Sequence, residues 1–414
     1  MNNNYSRYEL DYINRWQSTL LKNSLSNYPV IVITGARQVG KSTFLKNDKN
    51  LKDWEYLTLD DFDRLRQANE NPEALWLGSD SVIIDEAQKA PNILSAIKKS
   101  VDQTKNRKQF IISGSANLLL MKNVTESLAG RAAYISLPPM AYSEIRKLGL
   151  NQIIEKLIKG KKINNRYENL PISEILIKGF MPPLIRFNNI DDIPGWWESY
   201  TMTYLERDLR ELSQVESLLD FRNLMKILAL RSGKILNKSD VARDASLSQP
   251  TAHRYINLLQ ISHIIELIQP YFKKRTKRLV KSPKIFWLDP SLAIYLAGYY
   301  DKKSLENSRE FGSFYESLVY HHLRILADLL KPRAKIYYWR TVSGKEVDFV
   351  IEHGNKVLAV EVKSTDKIKY EDAASLKIFV EEYPEAIIGL IFYSGSELRY
   401  LDRKILAVPI SNIL

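Results

Sequence analysis

Pro29-VIVIT-Gly35-ARQV-Gly40-Lys41-Ser42-Thr43 runs from a short β-branched apolar segment through a glycine-rich turn into helical sequence. The turn fits G-x-x-x-x-G-K-[ST] throughout. It also lies where that pattern has a mechanism, between a predicted strand and a predicted helix. Gly35 and Gly40 let backbone N–H groups close around phosphate oxygens, and the helix N-terminus adds the positive end of its dipole. Ala36, Arg37, Gln38, Val39 and Thr43 complete the set of candidate nucleotide contacts, with Arg37 and Gln38 facing either nucleotide or solvent. Lys41 brings a point charge to the β- and γ-phosphates, and the Ser42 hydroxyl can take a place on Mg²⁺. ATP and Mg²⁺ are the expected cofactors.

The alternation continues outward. Trp54-EYLT-Leu59, Ser81-VII-Asp85, Gln109-FII-Ser113 and Ala133-YIS-Leu137 are further apolar runs with helical spacers. Five such runs predict a parallel sheet covered by helices, an α/β fold. Asp85 ends its strand, where a carboxylate can hold the Mg²⁺ hydration shell, and Glu86 beside it can polarise an attacking water. The pair favours hydrolysis over nucleotide storage. Ser113 ends another strand at the polar cluster Ser113-Gly-Ser115-Ala-Asn117 and is the candidate sensor of the γ-phosphate. Arg131, in Ser127-LAGRAAYI, is either a finger reaching a neighbouring subunit's γ-phosphate or a surface ion pair. Pro138-Pro139 stops the pattern, so the ATPase core is placed at 1–139.

Residues 140–235 read as helices forming a lid or linker, interrupted by the loop Gly179-FMPPLIRF. A compact unit at 236–304 has helix–turn–helix logic. Ser239-DVARDA is a short helix, Ser246-Leu-Ser248 a turn, and Ser248 an N-cap with Pro250 in the first turn of the next helix. Gln249, Thr251, His253 and Arg254 would project from that recognition-like helix. Tyr271-FKKRTKRLVKSPK follows, with seven basic and no acidic side chains in fourteen residues. As the hairpin wing of a winged helix, its Lys273, Lys274, Arg275, Lys277 and Arg278 would form a phosphate-binding stripe. Winged helices also contact proteins, and the basic run decides for DNA, held mainly by its backbone.

Residues 305–414 open with a helix and pass to the strand runs Ile336-YYWR, Glu346-VDFVIE, Val357-LAVEVK and Ala386-IIGLIFY. Glu316 on the helix, Asp348, and Glu361-Val-Lys363 recur in an order that can hold Mg²⁺ between carboxylates and orient a water for phosphodiester attack. Residues two apart share a strand face, which places Glu361 with Lys363. The alternative is a retired nuclease fold used as a DNA clamp or assembly surface. His321 and His322 have no spaced partner for zinc, and His263 reads as a packed residue.

Sixty Lys+Arg against forty-eight Asp+Glu give a net charge of +12 over 414 residues, which suggests a polyanionic partner. An apolar fraction of 45% and a charged fraction of 26% exclude a disordered or fibrous chain. No apolar run reaches the length of a membrane helix, and MNNNYSRYEL has no signal-peptide pattern. Cysteine is absent, which excludes disulfides and thiolate metal sites. A cytoplasmic protein with no membrane association is expected.

Gly35-ARQVGKST, Leu59-DDFDRL, Ile84-DEAQKAPN, Phe110-IISGSANLLL and Ser127-LAGRAAYISLPPMAYSEI together resemble the bacterial and archaeal AAA-type ATPases that carry a C-terminal domain of unknown function. Trp197-ESYTMTYLERDLREL and Lys281-SPKIFWLDPSLAIYLAG match the second part of that architecture. The resemblance implies an AAA-type sheet, ATP hydrolysis and ring-like assembly, six being the commonest AAA ring. The C-terminal pattern resembles the restriction-endonuclease-like fold with its D…E-x-K signature. One departure is Ser113, where threonine is frequent. The leading expectation is an oligomeric ATPase that translocates on or remodels duplex or branched DNA. The alternatives are an ATP-gated, Mg²⁺-dependent nuclease and a nucleotide switch whose winged helix binds protein.

Overall fold

The computed structural model describes residues 12–114, 128–206, 217–278 and 281–414, without the side chains of 204–206, 275 and 277. Ser115 and Asn117, and the side chains of Arg275 and Lys277, thus lie outside the described residues. No described helix is long and apolar enough to cross a membrane.

The five N-terminal runs are five strands: β1 (Val30–Thr34), β2 (Glu55–Thr58), β3 (Ser81–Asp85), β4 (Gln109–Ser113) and β5 (Ala132–Ser136). All pair in parallel, in the order β2-β3-β4-β1-β5. A parallel sheet is covered on both faces, so its strands carry apolar residues at nearly every position. Alternation sorts them: Ile31, Ile33, Ile83, Ile111 and Ile135 belong to one buried cluster. Val30, Val32, Val82, Ile84, Phe110 and Ile112 belong to another, under the helix Ile93–Gln103. Asp85 and Ser113 continue the rows of Ile83 and Ile111. They therefore emerge on the face that packs Phe44 and Leu45 of the loop's own helix, Lys41–Asn47.

The middle region is helical, as expected. Helices Ile172–Lys178 and Ile193–Tyr200 flank Gly179-FMPPLIRF, which contains a 3₁₀ turn at Pro182–Arg186. The helix–turn–helix is present as Lys238–Asp244 and Gln249–Ile261, with the Ser248 side chain accepting the Thr251 N–H at 3.2 Å. A third helix, Leu218–Ala229, packs on this pair from the stretch read as lid. β6 (Ile265–Ile268) and β7 (Lys284–Trp287) form the hairpin.

The basic run between β6 and β7 departs from the expected free wing. It contains a short helix at Arg275–Arg278, and the chain just before it bridges to the C-terminal sheet at Pro270 and Tyr338. That sheet is mixed, in the order β12-β13-β11-β10-β9-β8. Its strands are β8 (Lys335–Arg340), β9 (Glu346–His353), β10 (Lys356–Lys363), β11 (Ala386–Tyr393), β12 (Arg399–Asp402) and β13 (Ile405–Pro409). The last two carry no separate expectation from the sequence. The helix Phe311–Leu329 covers one face and Ala374–Glu382 the other.

Candidate functional site

Backbone conformation shapes the loop before any side chain acts. Gly40 has φ of 90° and Gly35 has φ of 146°. A Cβ on Gly35 would stand 2.4 Å from the Leu137 carbonyl oxygen, so only glycine fits there. Lys41 is buried and donates to the carbonyls of Gly35 (3.0 Å) and Ala36 (2.9 Å), which fastens the loop upon itself. Burial lowers its ammonium from the ordinary 10.5 to about 8, against the opposing pull of Glu86 and Asp85. Those two carboxylates and Lys41 thus share one field, as the sequence reading requires.

Asp85 is held from three sides. Ser113 donates to its Oδ1, the Glu86 N–H reaches the same oxygen at 3.1 Å, and the Tyr56 hydroxyl donates to Oδ2 at 2.5 Å. The insertion of β4 between β1 and β3 brings Ser113 there, so the sensor candidate touches Asp85 directly. Tyr56 was missed by sequence reading, where it is one apolar residue in a strand. Its role depends on β2 lying next to β3. Burial first, and then the bond to Asp85, hold its phenol well above the ordinary 10, so it stays a donor. It also hydrogen-bonds with Ser42. Ser42, Tyr56, Asp85 and Ser113 form one chain of oxygens, in which Ser42 and Asp85 are hard donors of the kind Mg²⁺ accepts and Tyr56 and Ser113 hold Asp85 in place. Glu86 has φ of 58° and lines the cleft, its Oε2 accepting from Gln88 at 2.5 Å.

The cleft over the loop measures about 470 Å³. Arg37, Gln38, Val39, Gly40, Lys41, Ser42 and Thr43 form its floor, so Arg37 and Gln38 face it. Tyr12, Ile13 and Met140 line one part, and Pro182, Pro183, Ile185 and Arg186 reach in from the 3₁₀ turn. That turn is fixed to the winged-helix unit. Buried Asp289, at the end of β7, accepts the Phe180 N–H at 2.7 Å and the Ser291 N–H at 3.0 Å, and the Met181 N–H as well. Gly179 approaches so closely that a Cβ would lie 2.6 Å from that of Ser291. Arg186 and this clasp are further residues that no local motif marks.

Arg131 pairs with Asp102 through two contacts, at 2.7 and 3.0 Å, the ion-pair arrangement of the two left open. His321 stacks on Phe180 and contacts the Met140 and Leu288 carbonyls, while His322 accepts the Tyr142 N–H and donates to the Leu318 carbonyl. Both are packing residues at the junction of the ATPase core and the C-terminal helix.

On the recognition-like helix, Gln249, His253 and Arg254 are exposed and Thr251 is half-buried. Lys273 and Lys274 are exposed too. Arg278 corrects the stripe: it is 5% exposed, forms a fork to Glu352 at 3.0 and 3.1 Å, and lies over the rings of Tyr271 and Tyr337. A guanidinium so engaged is structural and does not meet phosphate.

The C-terminal constellation is assembled, with an unforeseen member. Lys284, the last basic residue of the supposed wing, is 2% exposed. Its Nζ donates to Glu316 Oε1 at 3.0 Å and to Glu346, and stands 3.6 Å from Asp348. Burial would lower this ammonium, but Glu316, Asp348 and Glu346 outweigh it and hold it above its ordinary value. Lys363 reaches Glu361 Oε1 at 3.0 Å, the shared strand face expected. Burial, then the Asp348 charge, push Glu361 up to about 8. Among the described residues no group of three or more His, Asp or Glu is arranged to hold a metal ion. A lysine ammonium has entered the carboxylate cluster instead.

Comparison with known proteins finds three family matches. Residues 27–146 match an AAA domain, 170–303 a domain of unknown function (DUF8612), and 311–413 a domain of unknown function (DUF4143). An uncharacterized protein of Mycobacterium tuberculosis is 28% identical over 95% of this chain and 83% of its own length. One of Methanocaldococcus jannaschii is 24% identical over 81% and 76%. The solved Walker-type ATPase of Pyrococcus abyssi matches with a TM-score of 0.46 and 16% identity, over 69% of this chain and 96% of that one.

Proposed function

We propose that the chain, which matches an AAA domain over residues 27–146 and DUF4143 over 311–413, is a P-loop ATPase that spends ATP to move or remodel DNA. Ser42 and Asp85 would hold Mg²⁺, which would supply positive charge against the phosphates. Lys41 binds the β- and γ-phosphates. Glu86 orients the attacking water and takes its proton. Ser113 and Tyr56 fix the Asp85 carboxylate.

One observation carries the coupling to DNA. The turn that lines the nucleotide cleft is held by Asp289, on the same unit that presents the recognition-like helix. A shift of the turn between nucleotide states would therefore be transmitted to Gln249, His253 and Arg254 and to nearby Lys273 and Lys274. The exposure of these residues and the net charge of +12 support a backbone-gripping role. Ring assembly, with six copies expected, belongs to the same proposal, as does a cytoplasmic setting.

The test is salt-dependent binding of duplex and four-way DNA. Lys273→Ala and Lys274→Ala should each weaken binding and reduce the log–log salt slope by about 0.9. Arg278→Ala should instead lower thermal stability. No DNA affinity at low salt refutes the proposal, and ATP binding with DNA-insensitive turnover favours a protein-contacting switch.

A further inference from the structure

The C-terminal domain contains four carboxylates, Glu316, Glu346, Asp348 and Glu361, drawn from one helix and two strands of the same sheet. Asp348 and Glu361 are tied to the scaffold: Asp348 Oδ2 accepts the Val362 N–H at 2.8 Å, and Glu361 meets Lys363. Glu361 Oε2 is buried without a hydrogen-bond partner. Such a group of acids needs counter-charge or protons, because buried ionised carboxylates without a partner are strongly unfavourable. Lys363 and Arg340 of the same domain meet Glu361 and Glu346, but the buried cation between Glu316, Glu346 and Asp348 comes from outside the domain. Lys284 stands on β7 of the winged-helix hairpin, beside its bridge to Ile235. Its ammonium contacts Glu316 at 3.0 Å and Glu346, with Asp348 at 3.6 Å.

We propose that Lys284 is a built-in counter-ion that closes this carboxylate cluster against divalent cations and latches the winged-helix unit onto the C-terminal domain. An ammonium and a hydrated divalent ion cannot share one space between the same oxygens. While β7 is seated, Glu316 and Asp348 are committed to lysine and the domain is silent as a metal-dependent hydrolase. With Lys284 in place, a divalent ion enters only if β7 withdraws. The latch also gives the acids a purpose without chemistry: they fix the position of the hairpin from which Asp289 clasps the cleft-lining turn.

Mn²⁺ titration of the 414-residue, nucleotide-free chain, followed by electron paramagnetic resonance, tests this directly. Wild-type protein should show no Mn²⁺ binding that Asp348→Asn removes. One bound Mn²⁺ lost in Asp348→Asn overturns the proposal, whatever any lysine variant does. Lys284→Met should melt about 5 °C or more below wild type. Mn²⁺ should restore much of that loss by binding the folded state, and should not restore it in Lys284→Met combined with Asp348→Asn. Lys284→Arg, which keeps the charge, should melt near wild type and ignore Mn²⁺. A Lys284→Met protein that keeps its melting temperature and ignores Mn²⁺ also overturns the proposal.

Discussion

The Asp289 carboxylate accepts the Phe180 backbone N–H at 2.7 Å, and so fastens the turn that lines the nucleotide cleft to the end of a winged-helix strand. Asp289 is fully buried, and burial pushes it up to about 6 in spite of its backbone hydrogen bonds. Asp289→Ala would leave several buried N–H groups without an acceptor. A loss of about 2–4 kcal/mol is expected, from roughly 1–3 for each unsatisfied group after partial relaxation. Chemical denaturation measures this. Unchanged stability would show that the clasp contributes nothing. A raised folded pKa means that the neutral form is favoured in the fold. The Asp289 contribution is therefore fully present below its unfolded value of 3.8 and is lost as pH rises through about 6. Wild-type stability, compared with Asp289→Asn, should fall across that window.

Tyr56 gives a second outcome. Its hydroxyl links Ser42 and Asp85, the two donors expected on Mg²⁺. Partners that orient metal-site ligands typically affect activity by 10–100-fold. Tyr56→Phe should lower kcat/KM for Mg·ATP by about tenfold while the far-ultraviolet circular dichroism stays native. Full activity in the variant would remove Tyr56 from the site.

Much of this was legible along the chain, and the reason is local. The loop Gly35–Ser42, its flanking strand and helix, and the Asp85-Glu86 strand end are short-range patterns in which residue type follows from backbone geometry. Ser248 as a helix cap is legible for the same reason. What was not legible depends on which strands become neighbours. Tyr56 matters because β2 adjoins β3. Arg278 and Lys284 look like solvated wing charges until the C-terminal sheet brings Glu352, Glu316 and Glu346 to them. A basic run reports its charge but not which of its members folding turns inward. Glu316, Asp348, Glu361 and Lys363 do converge as their spacing suggested, but spacing alone cannot show that a lysine from another unit enters the group.

Lys41 predicts a pH effect. Its ammonium is lowered to about 8 in the nucleotide-free protein, and bound phosphate must raise it. Between the two values, ATP binding takes up a proton. Affinity should be flat below pH 7 and fall as pH rises through 8, by up to tenfold per unit. Calorimetry at pH 8.5 in buffers of different ionisation enthalpy should detect the uptake. A proton-neutral reaction at that pH contradicts the assignment.

The coupling itself is tested most directly by the ATP turnover rate with and without duplex DNA at low salt. Wild-type turnover should rise several-fold with DNA. Lys41→Ala should show no turnover in either condition while still binding DNA. A wild-type rate that DNA leaves unchanged, in a protein that hydrolyses ATP, contradicts the account.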